Sequence, residues 1–212
     1  MKSFIATLAL LVSTSAFAET TASLGGVFNY EAKNSSIQAS VRDRFEVGPL
    51  QREFDLDYIR QEENDTVTTE RTDVFGKINY ALTQRLYLQG SGRFVDELAQ
   101  EQRFVVGGGV GIKIIRTDFV KLSNELTVGY NVINDKEVVY RNSIWLRVKF
   151  DDKNSFVNKF LVEQSDSQGW VYQNVVELNH AISDTFAVGI AHTEIEGLVD
   201  TSITSLTASV KF

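Results

Sequence analysis

The sequence predicts an all-β protein, a transmembrane up-and-down antiparallel β-barrel of about twelve strands. Apolar and polar residues alternate with a period of two along most of the chain, as in EFDLDY (residues 53–58). The composition includes 14 Gly, 14 Phe and a single Pro, which suits long uninterrupted strands. Aromatic residues mark both ends of the apolar faces, as they do at the two surfaces of a membrane.

Twelve apolar faces follow one another along the chain. They lie in residues 24–30, 37–41, 54–58, 74–82, 86–94, 104–114, 120–132, 140–150, 156–162, 170–182, 186–190 and 206–212. Short connections are expected at 48–49, 83–84, 116–117, 151–154 and 183–184, and longer or more polar ones at 61–68, 95–102, 133–138, 165–169 and 194–201, with 33–36 on the latter side by order. Short turns at one end and longer loops at the other are typical of an up-and-down barrel.

The N-terminal segment has the pattern of a cleaved secretory signal. Lys2 precedes the apolar run Phe4–Val12, and Ala16–Ala18 has the small-x-small form of a cleavage site. We therefore expect a signal peptide over residues 1–18 and a single barrel domain over 19–212. No other run approaches the roughly 18 apolar residues of a membrane helix.

A soluble barrel and a membrane barrel make different demands on the apolar face. A lipocalin-like barrel would turn all twelve apolar faces into one lumen, whereas a membrane barrel turns them to lipid. Aromatic residues bound the apolar face at two levels. They are Tyr30, Tyr58, Phe94, Phe104, Tyr130, Tyr140, Trp170 and Tyr172 toward the longer loops, and Phe119, Phe150, Phe156, Phe186 and Phe212 toward the short turns. Two such levels favour the membrane barrel.

The last strand carries a candidate assembly signal. An even number of strands places both termini on the periplasmic side, and the last strand must close the barrel because no sheet edge can face lipid unpaired. Phe212 and Val210 lie on its apolar face. A terminal strand ending in an aromatic residue resembles the signal that bacterial outer-membrane proteins present to the barrel-assembly machinery, which we expect as a partner.

Two stretches carry a recognisable pattern: Asp55–Phe94, which contains TQRLYL, and Arg103–Tyr130, which contains a Gly-rich strand followed by IRTDFVKLSNEL. In these stretches the chain resembles the YdiY-like family of salt-induced outer-membrane proteins. The resemblance extends faintly to Phe212. It implies a porin-like barrel in the outer membrane of a Gram-negative bacterium, and it brings no catalytic residues.

Signals for catalysis and cofactors are weak. The chain has no Cys, two His and a net charge of −7, so thiol chemistry is excluded and nucleic acid is disfavoured as a partner. His192 and Glu194 share one strand face, and Ser123 or Ser143 could complete a hydrolytic set from other strands. The glycines of residues 107–111 lack the rest of a phosphate-binding loop and are expected to make room in a lumen. We expect no catalytic residue, metal or cofactor.

The polar faces predict a charged lumen. The residues expected to line it are Arg42, Arg44, Asp55, Asp57, Asp73, Lys77, Arg85, Arg93, Arg103, Lys113, Lys121, Glu125, Arg141, Arg147, Lys149, Glu163 and Glu177. Basic residues outnumber acidic ones in this set. Two alternatives remain open: a salt-bridge network that keeps the barrel closed, or a narrow passage for small ions or solutes.

The longer loops are rich in acidic residues. The set is Glu62, Glu63, Asp65, Glu70, Asp96, Glu97, Glu101, Asp135, Glu137, Asp166, Glu194, Glu196 and Asp200. Solvated loops explain it, and divalent-cation bridging to lipopolysaccharide is the alternative. The function expected is a narrow pore or a structural, salt-stress-responsive component of the envelope, in contact with outer-membrane lipid and lipopolysaccharide. The alternative is a membrane-embedded hydrolase acting on lipid, lipopolysaccharide or peptide.

Overall fold

Twelve antiparallel strands close into one barrel in a computed structural model that describes residues 18–29, 34–63, 66–98, 101–134, 136–197 and 200–211. The strands are β1 (Ala18–Asn29), β2 (Asn34–Val47), β3 (Leu50–Glu63), β4 (Thr66–Ala81), β5 (Leu86–Glu97), β6 (Arg103–Arg116), β7 (Val120–Asn131), β8 (Val138–Lys149), β9 (Asn154–Ser165), β10 (Gly169–Ala181), β11 (Phe186–Glu196) and β12 (Thr201–Lys211). The predicted fold class and strand number are confirmed. No helix in the described ranges is long and apolar enough to cross a membrane.

Each strand pairs with its neighbours in sequence, and β1 pairs with β12 to close the barrel. The closing register runs from Thr21 opposite Lys211 to Gly26 opposite Leu206. Val210 lies on the outer face opposite Ala22, whereas Phe212 and residues 1–17 of the expected signal lie outside the described residues. β1 begins at Ala18, where the expected signal ends.

The alternation places apolar side chains outside and polar ones inside. In β7, Leu126 and Val128 are about half exposed, at 52% and 54%, whereas Thr127 between them is 7% exposed. Exposed aromatic residues lie at both ends of the outer face, including Tyr140 and Trp170 near the loops and Phe150 near the turns. An apolar exterior around a polar interior is the arrangement of a membrane barrel.

The loop end differs from the prediction. The strands β3 and β4 extend through most of residues 61–68, so that only residues 64–65 separate them. In the same way β11 reaches Glu196 and β12 begins at Thr201. The predicted contrast between short turns and long loops is therefore weaker than expected. Side-chain polarity marks where a strand leaves the apolar layer, but backbone pairing continues beyond that point because the ladder also forms in water.

An irregularity in β6 reverses the inward and outward faces near its end. The register with β7 shifts between Lys113 and Ile115, which leaves one extra residue in β6. Because a one-residue shift exchanges the two faces of a strand, Arg116 faces inward beside Lys121, its partner in the register.

Candidate functional site

Three cavities lie in series along the described part of the barrel interior. The turn-side cavity has a volume of about 570 Å³ and reaches the turns at Asp151 and Ser183. The middle cavity, of about 310 Å³, shares the walls Arg42 and Arg44 with it. The loop-side cavity is only about 30 Å³ and adjoins the middle one at Arg93. The interior thus narrows from the turns toward the loops.

Most of the residues expected to line the lumen lie on the walls of these cavities. The middle cavity is lined by Arg42, Arg44, Asp55, Asp57, Asp73, Lys77, Arg93, Lys113, Lys121, Glu125 and Arg141. Arg147, Lys149 and Glu177 line the turn-side cavity, and Arg103 and Glu163 line the loop-side one. Arg85 is the exception: it is exposed in the turn that precedes β5, because the strand begins only at Leu86.

The loop-side cavity is small because charged side chains from several strands meet there. We call this set the loop-side ion network: Arg71, Asp73, Arg93, Glu97, Arg103, Arg141 and Glu163. Arg71 is not among the residues predicted to line the lumen, and Glu97 is predicted to lie in the longer loops. Their side chains face inward and form an ion pair of 3.2 Å. The only available signal was that both continue the inward alternation of β4 and β5.

Glu163 is the centre of the loop-side ion network. Its carboxylate accepts hydrogen bonds from Arg93 at 3.3 Å, Arg103 at 2.9 Å and Arg141 at 2.7 Å. Arg93 crosses the interior from β5 to β9, and it also donates to Asp73 on β4 at 2.9 Å from Nε. The Glu163 side chain is 5% exposed, so its three cationic partners compensate for the loss of hydration.

Two loops close over this network. Both the backbone N–H and the hydroxyl of Ser167 donate to the Glu137 carboxylate, at 2.7 and 2.6 Å. Arg103 lies 3.9 Å from the same carboxylate and also contacts Gln168. Burial raises the pKa of Glu137, but the Ser167 hydrogen bonds and the Arg103 charge outweigh it and hold the pKa below its ordinary value.

A second ion cluster spans the middle cavity. Lys77 on β4 donates to Glu125 on β7 at 2.9 Å and lies 3.2 Å from Glu53 on β3. The Tyr87 hydroxyl donates to Glu125 at 2.6 Å. A Cβ atom at position 111 would collide with the Tyr87 ring, so Gly111 makes room for this side chain, as expected for the Gly-rich strand.

Fewer ion pairs cross the turn-side cavity than cross the loop-side one. Arg42 on β2 donates to Glu177 on β10 at 2.9 Å, and Lys159 on β9 lies 3.6 Å from Asp55 on β3. Arg44 pairs with Glu53 at 3.2 Å, and its guanidinium lies 5.7 Å from the centre of the Trp145 ring. These contacts leave a cavity of about 570 Å³ between the strands.

One side of the wide part of the interior carries cations without counter-ions. We call it the basic wall: Lys113, Arg116, Lys121, Arg147 and Lys149, on β6, β7 and β8. Arg116, Lys121 and Arg147 are successive partners in the register. Within the described part of the chain, none of the five forms an ion pair. Arg116 was not predicted because the irregularity in β6 exchanges the two faces; the adjacent Ile114 and Ile115 were its signal in the sequence.

The residues considered for hydrolysis do not come together. His192 and Glu194 lie on the outer face of β11, where His192 Nδ1 is 2.8 Å from Thr204 Oγ1. Ser123 and Ser143 line the middle cavity on the inner face of β7 and β8. Among the described residues, no group of three His, Cys, Asp or Glu side chains could hold a metal ion.

Comparison with known proteins identifies a sequence family and a shared fold. A family model described as "Protein of unknown function, DUF481" matches residues 24–195. No curated protein has a sequence significantly similar to this chain.

Several solved outer-membrane barrels share the fold. The NanC porin has a TM-score of 0.59 at 10% identity, covering 92% of this chain and 98% of its own. An outer-membrane channel from Pseudomonas putida F1 has a TM-score of 0.58 at 11% identity, covering 94% and 97%. The translocator domain of the autotransporter NalP from Neisseria meningitidis has a TM-score of 0.54 at 13% identity, covering 100% and 93%. The chain therefore has the fold of an outer-membrane β-barrel.

Proposed function

We propose that this chain, which belongs to the DUF481 family of proteins of unknown function, is a narrow outer-membrane channel that favours small anions. The observation that carries this proposal is the basic wall. Five cations face the wide part of the lumen and form no ion pair with the residues that the structure describes. Cations are tolerated without counter-ions only where water or mobile anions reach them.

The preference for anions follows from the width of the lumen. A barrel of twelve strands is narrow, so the layer of attracted ions, about 8–10 Å thick at moderate salt, reaches across the interior. The acidic residues Asp55, Glu53 and Glu177 on the facing side are each close to Lys or Arg. Glu46 and Asp57 also line the middle cavity without an ion pair among the described residues. They reduce the field of the basic wall, whose five cations outnumber them.

The loop-side ion network sets the limiting width. With a cavity of about 30 Å³ at this level, a hydrated ion passes only when the side chains around Arg93 and Glu163 move. We therefore expect small and intermittent conductance. The ion pairs between distant strands support this expectation, because each must break and form again whenever an ion passes.

The proposal is tested in planar bilayers by the reversal potential under a salt gradient. The expected result is a mild anion preference that fades in concentrated salt. Arg147→Gln should reduce the preference, whereas the matched control Arg85→Gln should not, because Arg85 is exposed in a turn outside the cavities. A cation preference in the unaltered protein, or equal effects of the two changes, would contradict the proposal. Complete absence of conductance would favour a closed, salt-bridged barrel.

We also propose the orientation and partners that such a channel requires. The signal peptide directs export, the turns and termini face the periplasm, and the barrel-assembly machinery inserts the chain among lipid and lipopolysaccharide. The exposed aromatic residues at both ends of the outer surface support this placement. Protease added to intact cells should cut the chain between β11 and β12 and spare the turn at 151–153, between β8 and β9. The reverse pattern would invert the orientation.

A role in the response to salt stress is the remaining part of the proposal, and it rests on the family resemblance. Screening by external salt would weaken the field of the basic wall, so the channel would favour anions less as the medium becomes more concentrated. The amount of protein in the outer membrane after a salt upshift tests this role, and an unchanged amount would remove it.

A further inference from the structure

Asparagines interrupt the apolar outer surface on four successive strands. They are Asn124 on β7, Asn142 on β8, Asn158 on β9 and Asn174 on β10. Each has apolar residues of the same face on both sides along its strand. These flanking pairs are Leu122 and Leu126, Tyr140 and Ile144, Phe156 and Phe160, and Tyr172 and Val176. The asparagines therefore lie within the apolar surface and not at its edge.

The asparagines are joined in pairs across neighbouring strands. Asn124 Nδ2 donates to Asn142 Oδ1 at 2.6 Å, and Asn158 Nδ2 donates to Asn174 Oδ1 at 2.7 Å. On the next two strands, His192 and Thr204 form a third polar pair on the same face at 2.8 Å. We call these six residues the polar band. It covers the outer surface from β7 to β12.

Hydrogen-bonding groups remain unused in the polar band. The Nδ2 groups of Asn142 and Asn174 donate to no residue that the structure describes. An amide that faces hydrocarbon without a hydrogen-bond partner costs several kcal/mol, because lipid chains offer no hydrogen bond. A partner that supplies this hydrogen bond removes the cost. Headgroups do not reach this level, because apolar side chains lie above and below each asparagine.

The opposite side of the barrel lacks such a band. The outer face is apolar in β4 from Val74 to Tyr80, in β5 from Leu86 to Phe94 and in β6 from Phe104 to Ile114. Lipid contact therefore explains one side of the barrel, and the other side requires a partner with hydrogen-bonding groups at mid-membrane depth.

We propose that the polar band is the interface between two copies of this chain in the membrane. A side-chain amide is both donor and acceptor, so a row of asparagines is complementary to a second copy of itself related by a two-fold axis. Polar side chains join transmembrane segments in this way. The inference requires a barrel in a membrane and is independent of ion conduction.

Cross-linking at single cysteines tests the interface, because the chain has no native Cys. Ile144→Cys lies next to the polar band, directly opposite Asn124 in the register, and Val110→Cys is the matched control on β6. Both positions are exposed, at 39% and 49%. In lipid vesicles, a bis-maleimide should join two Ile144→Cys chains and leave Val110→Cys chains single. No dimer, or equal yields from the two positions, would overturn the proposal.

Removing the amides separates an interface from a structural role. Asn142→Leu with Asn174→Leu, in the Ile144→Cys background, should lower the yield of cross-linked dimer about tenfold, which corresponds to ~1.4 kcal/mol of association free energy. The folded, heat-modifiable monomer should persist, and Ile78→Ala on the opposite face should leave dimerisation unchanged. Energy transfer between labelled chains in vesicles measures the same association without cross-linking. Undiminished dimer in the double variant would contradict the proposal.

Discussion

The two ends of the lumen both contain charged side chains, but these are paired at the loop end and include unpaired cations at the turn end. At the loop end, seven charged residues from β4, β5, β6, β8 and β9 are all paired around a cavity of about 30 Å³. At the turn end, the basic wall borders cavities of about 310 and 570 Å³ and forms no ion pair among the described residues. Width accounts for the difference: the narrow loop end brings every one of these charges within reach of a partner, whereas at the wide end Arg42–Glu177 and Lys159–Asp55 cross the lumen and the basic wall remains out of reach of a carboxylate.

This comparison separates charges that hold the barrel together from charges that act on a solute. A buried carboxylate with three arginine partners cannot lose its charge without leaving them uncompensated, whereas a lysine facing a wide cavity is solvated by water. We therefore assign stability to the loop-side ion network and ion attraction to the basic wall.

The largest expected effect is at Glu163. Glu163→Gln should destabilise the barrel by about 3–5 kcal/mol, because Arg93, Arg103 and Arg141 lose their shared counter-ion in a narrow region. Glu177→Gln in the wide part is the matched control and should cost about 1 kcal/mol or less, since Arg42 remains accessible to water. Urea unfolding in lipid vesicles measures both. Equal losses would show that the two ends do not differ.

Adjacent valines on β10 test whether the wide part of the lumen is wet. Val175 lines the middle cavity, whereas Val176 lies on the outer face. Val176→Arg should destabilise the barrel by about 2–4 kcal/mol because its charge faces lipid. Val175→Arg should cost much less, since water and nearby carboxylates accept it. A larger loss for Val175→Arg in refolding titrations would mean that the middle cavity is dry.

Two lysines should respond to the same substitution with opposite signs. Lys121 lies between Arg116 and Arg147 in the register, and like charges in direct opposition are unfavourable. Lys121→Gln should therefore stabilise the barrel by about 0.2–1 kcal/mol, more at low salt than at high salt. Lys77→Gln should destabilise it, because Glu53 and Glu125 lose their cation. Denaturation at two salt concentrations checks this, and the same sign at both positions would refute the distinction.

The smallest expected effect concerns the two loops joined by Glu137 and Ser167. The pKa of Glu137 is lowered below its ordinary value of 4.5, so its contacts contribute stability above that value and lose it as the pH falls through the lowered pKa. The protection of the amides of residues 166–168 from hydrogen exchange, measured relative to the intrinsic rate at each pH, should therefore fall in acid. Glu137→Gln should abolish this pH dependence without changing global stability, whereas exchange in the turn at 151–153 serves as the control.

Much of the barrel could be predicted from the sequence, and the errors have identifiable causes. Period-two alternation predicted all twelve strands and the inward face of most charged residues, because a strand has only two faces. Arg85 was misplaced since alternation does not mark where a strand begins. Glu97 was placed in a loop and Arg71 was left out of the lumen because polarity was taken as the end of a strand, although backbone pairing continues past both residues.

What the sequence determined by itself is local: which residues form strands, which face they occupy and how many strands there are. Only the closed barrel decided which charges meet. Arg93 and Glu163, or Arg42 and Glu177, are far apart in the chain and reach each other across the lumen, and their distance depends on how the strands close. The same holds for the irregularity that turns Arg116 inward and for the register that brings the asparagines into pairs. The physical reason is that alternation is a property of one strand, whereas pairing of side chains depends on register, tilt and the width of the barrel.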